Sequence, residues 1–160
     1  MNTITYRKAV LEDCLDLAIL KGLVWNTTYK GIYSEEKLSG YDIAKNESIF
    51  HNIVCNPDIE LFVALDGQKI VGLMTCGEPY RPFMDFQQEI ALLYILKEYQ
   101  RKGIGKTFFE IARNQVKGNG YTKFFLSVNS KNFDAQKFYE AMGGVIICED
   151  EQQIKYKYTI

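Results

Sequence analysis

The apolar residues of this chain change their spacing several times, and each change marks an element. Residues 3–8 alternate polar and apolar, the period of an edge or first strand. Residues 11–24 take a helical period instead, with a stripe at Leu11, Cys14, Leu15, Ala18 and Leu23. Glu12, Asp13 and Asp16 suit the first turns of that helix, near its positive end. Residues 25–33 read as a loop or a second short helix rich in aromatics. Ser34-Glu35-Glu36-Lys37 resembles a helix start capped by Ser34, and the helix runs to about Ile53 before Asn56-Pro57-Asp58 breaks it.

Residues 60–65 and 69–76 are two β-patterned runs, and Asp66-Gly67 with Gln68 between them favours a tight hairpin. A loop with Pro79 and Pro82 follows. Residues 90–96 are apolar throughout, as expected for a central buried strand. Ile104, Phe108, Ile111, Ala112 and Val116 then repeat with a helical period that Gly118 and Gly120 end. Residues 122–128 form the next strand. Ala135, Phe138, Tyr139 and Met142 lie on one helix face, which Gly143-Gly144 terminates. Residues 145–148 and 154–158 are a final pair of strands. The order β-α-α-β-β-β-α-β-α-β-β predicts an α/β (α+β) fold with a mixed sheet and packed helices.

The length of 160 residues suits one domain spanning 1–160, and the 47% apolar and 14% aromatic content is that of a globular chain. A formal net charge of −1 gives no global field favouring nucleic acid or a membrane surface. The opening residues lack the apolar core of a signal peptide, and the 90–96 run is too short to span a bilayer. The four cysteines, 14, 55, 76 and 148, form no Cys-x-x-Cys pair, which fits reduced thiols in a cytoplasmic protein. With His51 the only histidine, no histidine-rich metal site is expected.

The join between the 90–96 strand and the following helix holds the densest chemical signal. Gln100-Arg101-Lys102-Gly103-Ile104-Gly105-Lys106 forms a glycine-bearing turn into a helix start. Such a turn offers backbone N–H groups and the positive helix end to an anion, and three basic side chains stand beside it. Two phosphate motifs fail here. The hydrolase phosphate loop needs glycine where Gln100 stands, and the dinucleotide fingerprint needs glycine where Phe108 stands.

What remains is similar to the Gln/Arg-x-x-Gly-x-Gly/Ala acyl-CoA signature of the GNAT superfamily of N-acetyltransferases. Leu93-Tyr94-Ile95 precedes the loop, as in that family. Val128, Asn132, Ala135, Phe138-Tyr139-Glu140 and Gly143 follow at family spacing, so the resemblance covers nearly the whole chain. Lys97 departs from a common proline. Gly144 replaces the usual phenylalanine, with looser packing expected near the last strands.

The resemblance implies a mixed, mostly antiparallel central sheet of about six to seven strands with helices on both faces. It implies an acyl-CoA thioester lying between the strand of Tyr94 and the strand of Ser127. Backbone groups of Leu93, Tyr94 and Ile95 would pair with the pantetheine arm, and the amides from Arg101 to Lys106 would hold the pyrophosphate. Gln100, Arg101, Lys102, Gly103, Ile104, Gly105 and Lys106 thus become cofactor residues, with acetyl-CoA as co-substrate and no metal. Asn132 would bond the pantetheine arm; as a bare residue it is equally a helix cap.

Acyl transfer to an amine needs a base, an oxyanion donor and an acid for the leaving thiolate. Glu89 at the strand start is the candidate base, and otherwise a solvated carboxylate. The Ile95 N–H is the candidate oxyanion donor. Tyr139 resembles the family's tyrosine acid near the sulfur, although its place on an apolar helix face also fits core packing. Acceptor walls are expected from the 25–41 segment and from Tyr80-Arg81-Pro82-Phe83. Trp25-Asn26-Thr27-Thr28-Tyr29-Lys30-Gly31-Ile32 is similar to a segment of family members grouped with polyamine acetyltransferases. Trp25, Tyr29, Tyr33, Tyr80 and Arg81 are therefore the candidate acceptor contacts.

The function implied is acetyl transfer from acetyl-CoA to a primary amine, either a small molecule such as a polyamine or amino acid or a peptide N-terminus, by direct attack in a ternary complex. The alternative is a non-catalytic acyl-CoA-binding sensor on the same fold. A homodimer is a further expectation from the family; nucleic-acid and membrane partners are not expected.

Overall fold

The computed structural model describes residues 3–160, so the first two residues of the expected 1–160 domain lie outside it. The chain divides into two compact units, one reaching to Thr75 and including Leu92–Gly105, the other made of Cys76–Ala91 and Lys106–Ile160.

In the first unit, β1 (Ile4–Lys8) pairs antiparallel with β2 (Ile59–Asp66), with Tyr6 opposite Ala64. The turn Gly67-Gln68 leads to β3 (Lys69–Gly77) as the sequence predicts. Gly67 has φ 62°, a left-handed conformation that only glycine adopts without steric cost. Arg7 donates two hydrogen bonds to Asp13, at 2.7 and 3.1 Å, tying β1 to the start of the helical segment. That bond, chiefly, holds the Asp13 carboxyl below the ordinary aspartate range.

Three helices follow β1: α1 (Cys14–Thr28), α2 (Glu35–Ser39) and α3 (Ile43–Cys55). Two expectations need correction. The helix expected from Ser34 to Ile53 is two helices. Ser34 does cap α2 by accepting the Lys37 N–H at 3.1 Å, but Gly40 ends it and Asp42 caps α3 by accepting the Lys45 N–H at 3.0 Å. A second capping residue this close to the first starts a separate helix. The apolar stripe of α1 is also different. Cys14, Leu17, Ala18, Leu20 and Val24 are buried, whereas Leu11, Leu15 and Leu23 are exposed. The segment is apolar on more than one face, so periodicity alone did not single out the inner one. Trp25 lies within α1, which runs on to Thr28, rather than in a loop or a second short helix. Gly22 lets the Tyr41 ring lie against this helix, since a Cβ there would fall 2.7 Å from Tyr41 Cε1.

In the second unit, β5 (Lys123–Asn129) runs antiparallel to β7 (Gln153–Thr159), and β6 (Val145–Glu149) pairs antiparallel with β7. The start of β4 (Glu89–Ile95) pairs parallel with β5, Glu89 opposite Phe125 and Ile90 opposite Leu126. Phe124, Leu126 and Val128 alternate along β5 and are buried with Ile154, Tyr156 and Tyr158 of β7. Onto them pack α4 (Ile104–Gly118) and α5 (Phe133–Ala141). The Phe109 ring centroid lies 5.1 Å from that of Tyr158 and 5.8 Å from that of Phe138.

The hydrogen-bonded strand order is β1-β2-β3-β4-β5-β7-β6, a seven-stranded mixed and mostly antiparallel sheet, with β3 and β4 each contributing residues to both units. One expectation about β4 fails. Its apolar residues are not uniformly buried: Ile90 and Leu96 are, but Leu92 to Ile95 are only half-buried and Ala91 is exposed.

Gly144 does not loosen the packing. A Cβ there would lie 2.7 Å from Tyr158 Oη and 2.9 Å from the Tyr139 carbonyl oxygen. The Tyr139 carbonyl accepts both the Gly144 N–H at 3.0 Å and the Tyr158 hydroxyl at 2.7 Å. Because one obstacle is backbone, a methyl group cannot be accommodated by a rotamer change. Gly144→Ala should therefore lower stability by about 1–3 kcal/mol in urea unfolding. A variant as stable as the parent would contradict this packing.

Candidate functional site

Each unit carries part of the machinery expected from the sequence. In the first unit, β4 ends at Ile95 and a short turn, Lys97–Tyr99, leads into the loop. Gln100 Nε2 donates to the Ile95 carbonyl at 3.0 Å and so clamps the loop entrance to the strand end. Tyr99 Oη donates to Asp66 Oδ2 at 2.6 Å and anchors the turn on β2. Arg101 and Gly103 have φ of 61° and 86°. Left-handed residues interspersed with ordinary ones curl successive N–H groups toward one side, the geometry of an anion-binding concavity. Ile104 and Gly105, by contrast, are buried as α4 begins.

Arg101, Lys102 and Lys106 are exposed, and none takes part in the three ion pairs found among the described residues. Lys102 lies over the Tyr99 ring at 5.5 Å. The arrangement brings a helix start, a curled backbone and three cations to one loop, which suits a phosphate or diphosphate.

The first unit also gathers an aromatic cluster. Tyr29 and Tyr33 stack at 4.5 Å, and Trp25 lies 5.8 Å from Tyr29, 5.5 Å from Tyr33 and 5.8 Å from Tyr41. Trp25 Nε1 donates to Tyr94 Oη at 3.4 Å, so the side chain of the β4 tyrosine reaches this cluster. Burial raises the Tyr94 phenol above its ordinary range and pushes Tyr41 up to about 12. Both phenols are thus neutral at physiological pH; Tyr41 donates to the Ala18 carbonyl at 2.6 Å, whereas Tyr94 accepts from Trp25. Lys37 Nζ sits 3.9 Å above Tyr33 and Lys21 Nζ 5.4 Å from Trp25, so these rings already accept ammonium groups.

In the second unit, Glu89 is half-buried at the start of β4. Its Oε1 accepts the Tyr80 N–H at 2.9 Å. Burial raises the Glu89 carboxyl above the ordinary glutamate range, against the opposing Tyr80 N–H and the charge of Lys155. Tyr80 itself is 80% exposed, and Arg81 lies 5.7 Å from its ring. Of the expected acceptor residues, Tyr80 is thus tied to Glu89 through its backbone, and Arg81 is tied to Tyr80.

Asn132 caps α5, its Oδ1 accepting the Ala135 N–H at 3.2 Å. Tyr139 is half-buried on α5, its ring 6.0 Å from Phe109, 5.5 Å from Phe138 and 6.2 Å from Tyr156. The body of the residue is therefore part of the aromatic core. Beside Glu89, Gln88 is buried, and its Oε1 accepts Asn119 Nδ2 at 3.1 Å.

Tyr41 and Lys155 were not singled out as site residues. The approach of Tyr41 to α1 depends on the absent side chain of Gly22, and Lys155 gains meaning only once strand register sets it opposite Ser127. Among the described residues no group of three histidine, cysteine or acidic side chains is placed to hold a metal, and no helix is long and apolar enough to cross a membrane.

Residues 28–155 match the family model described as an acetyltransferase (GNAT) domain. The chain is 30% identical over 146 residues to the spermidine N(1)-acetyltransferase of Thermoplasma acidophilum, covering 88% of each. It is 30% identical over 82 residues to N-alpha-acetyltransferase 30 of Schizosaccharomyces pombe, covering 51% of this chain and 55% of that one. The crystal structure of PaiA N-acetyltransferase from Thermoplasma acidophilum in complex with coenzyme A superposes with a TM-score of 0.87, at 26% identity and 99% coverage of both chains.

Carboxyl-carbon NMR provides a direct check on the second unit. Glu89 should titrate above the ordinary glutamate range. A midpoint at or below that range would contradict the burial of its carboxyl.

Proposed function

The chain belongs to the GNAT acetyltransferase family and is an N-acetyltransferase, and from that premise we propose that it moves the acetyl group of acetyl-CoA onto a primary amine by direct attack in a ternary complex. The whole of 1–160 acts as one N-acetyltransferase domain. The observation that carries the reading is the strand–loop–helix passage from Ile95 to Lys106, with its clamp at Gln100 and left-handed Arg101 and Gly103.

The amides from Arg101 to Lys106 grip the CoA diphosphate, aided by the Arg101, Lys102 and Lys106 charges. Backbone groups of Leu93, Tyr94 and Ile95 pair with the pantetheine arm as an added strand would. The half-open apolar stretch Leu92 to Ile95 supports this role. Asn132 adds a hydrogen bond to the same arm through its amide.

In the reaction, Glu89 receives the proton released by the attacking amine, directly or through water. The Ile95 N–H donates to the carbonyl oxygen as negative charge builds there. A new C–N bond forms while the C–S bond breaks, and Tyr139 gives its phenolic proton to the departing sulfur. A raised Glu89 carboxyl is better matched to an amine than an ordinary glutamate is.

The acceptor is a primary amine, with polyamines the first class to test. Two observations support that order: a relative with 30% identity is a spermidine acetyltransferase, and Trp25, Tyr29 and Tyr33 form a surface that already holds ammonium groups. Tyr80 and Arg81 flank Glu89 on the acceptor side.

Thiol release from acetyl-CoA with a panel of polyamines, amino acids, aminoglycosides and peptide N-termini tests the activity. Tyr139→Phe should lower kcat roughly 100-fold or more while leaving acetyl-CoA affinity largely intact. Lost affinity with normal turnover at saturation would contradict the acid role. Gly103→Val should weaken CoA binding severely, because a branched side chain strains the left-handed backbone by about 1–2 kcal/mol and fills space the phosphates need. Unchanged affinity would remove the diphosphate from this loop.

A further inference from the structure

Lys155 stands on β7 opposite Ser127 of β5. Its ammonium donates to Ser127 Oγ at 2.7 Å and lies 5.0 Å from the Phe83 ring centroid and 5.6 Å from that of Phe125. Phe125 is the register partner of Glu89. Residues opposite one another in a sheet, and residues two apart along a strand, project to the same face. Glu89, Phe125, Ser127 and Lys155 therefore share one face of the second unit.

A half-buried ammonium usually has a carboxylate beside it. Here the ion pairs among the described residues are Arg7–Asp13, Lys8–Glu60 and Lys123–Asp85, and Lys155 is in none of them. Its ammonium lies over two aromatic rings and is aimed by a hydroxyl. The surrounding charges are otherwise committed. Asp85 is held by Lys123 and also feels Lys157, while Asp150 accepts the Gln152 and Gln153 amides and feels Lys155. Arg81 lies over Tyr80. What faces Glu89 itself is the Tyr80 N–H from the loop and the Lys155 charge from β7.

We propose that Lys155, steered by Ser127, is a positioning residue that keeps Glu89 ionised without closing onto it as an ion pair, so that the carboxylate oxygens stay available to the acceptor amine. The inference rests on Glu89 being the base. Burial alone favours the protonated carboxyl, which cannot accept a proton from an amine. A direct ion pair would keep Glu89 charged but would occupy the oxygens. A cation on the same sheet face, held by a neutral hydroxyl, supplies the charge without an ammonium occupying those oxygens, one of which also accepts the Tyr80 N–H. The same charge disfavours acceptors that bring a second ammonium toward β7.

The test joins a titration to kinetics. The Glu89 carboxyl, assigned by the signal lost in Glu89→Gln, is followed by carbon NMR in the parent, Lys155→Met and Lys155→Arg proteins. Removing the cation should move the Glu89 midpoint to higher pH, and arginine should restore it. With acetyl-CoA and spermidine, Lys155→Met should lose roughly three- to tenfold of kcat/KM near the acid limb, the deficit narrowing as pH rises. The acceptor's own titration cancels in the ratio of variant to parent. If Lys155→Met fails to fold, Lys155→Gln carries the same expectation. Superimposable Glu89 titrations, or a loss of kcat/KM independent of pH, would overturn the role of Lys155. A Glu89→Gln-to-parent ratio of kcat/KM that does not change with pH would instead overturn Glu89 as the base.

Discussion

Between the end of β4 and the first turn of α4, the chain must leave a sheet and enter a helix. The geometry of that passage governs what the site can bind. Gln100 folds back to the Ile95 carbonyl, Tyr99 is pinned to Asp66, and Arg101 and Gly103 take the left-handed region. A non-glycine residue in that region costs energy that only a defined role or surrounding contacts sustain. Holding the loop at both its strand and its turn fixes the backbone that leads into the helix start. Charge then follows geometry: three exposed basic side chains surround amides that already favour an anion.

The rest of the machinery is supplied by ordinary packing. Tyr139 belongs to an aromatic core with Phe109, Phe138 and Tyr156, and its carbonyl is fixed by Tyr158 and by the Gly144 amide. The two readings of Tyr139 as core residue and as acid are therefore compatible. A ring locked by neighbours presents its hydroxyl in one direction, which a proton donor needs. Glu89 shows the complementary principle. Its carboxyl is made more basic by burial and is restrained by one amide and by the Lys155 charge.

Much of this was legible in the sequence, for reasons that particular residues make clear. The strands and the Asp66-Gly67 hairpin follow from period and turn chemistry, and Ser34 and Asn132 are caps as their residue types predict. Local signals of this kind need no tertiary context. The errors arose where context decides. An α1 that is apolar on more than one face does not announce that Leu15 and Leu23 will be exposed. Gly144 looked like a lost phenylalanine, yet it is the space into which Tyr158 and the Tyr139 carbonyl converge. Lys155 resembled any strand lysine until register set it against Ser127 and beside the row that holds Glu89.

The central claim is that the backbone from Arg101 to Lys106 receives the diphosphate of CoA. Amide proton–nitrogen NMR spectra recorded during a CoA titration test it most directly. The account predicts that the largest shifts fall on the amides of this loop and on Leu93 to Ile95, with the Trp25 cluster changing little until an amine is added. Loop amides that stay unmoved while CoA binds elsewhere, or spectra that do not change at all, would contradict it.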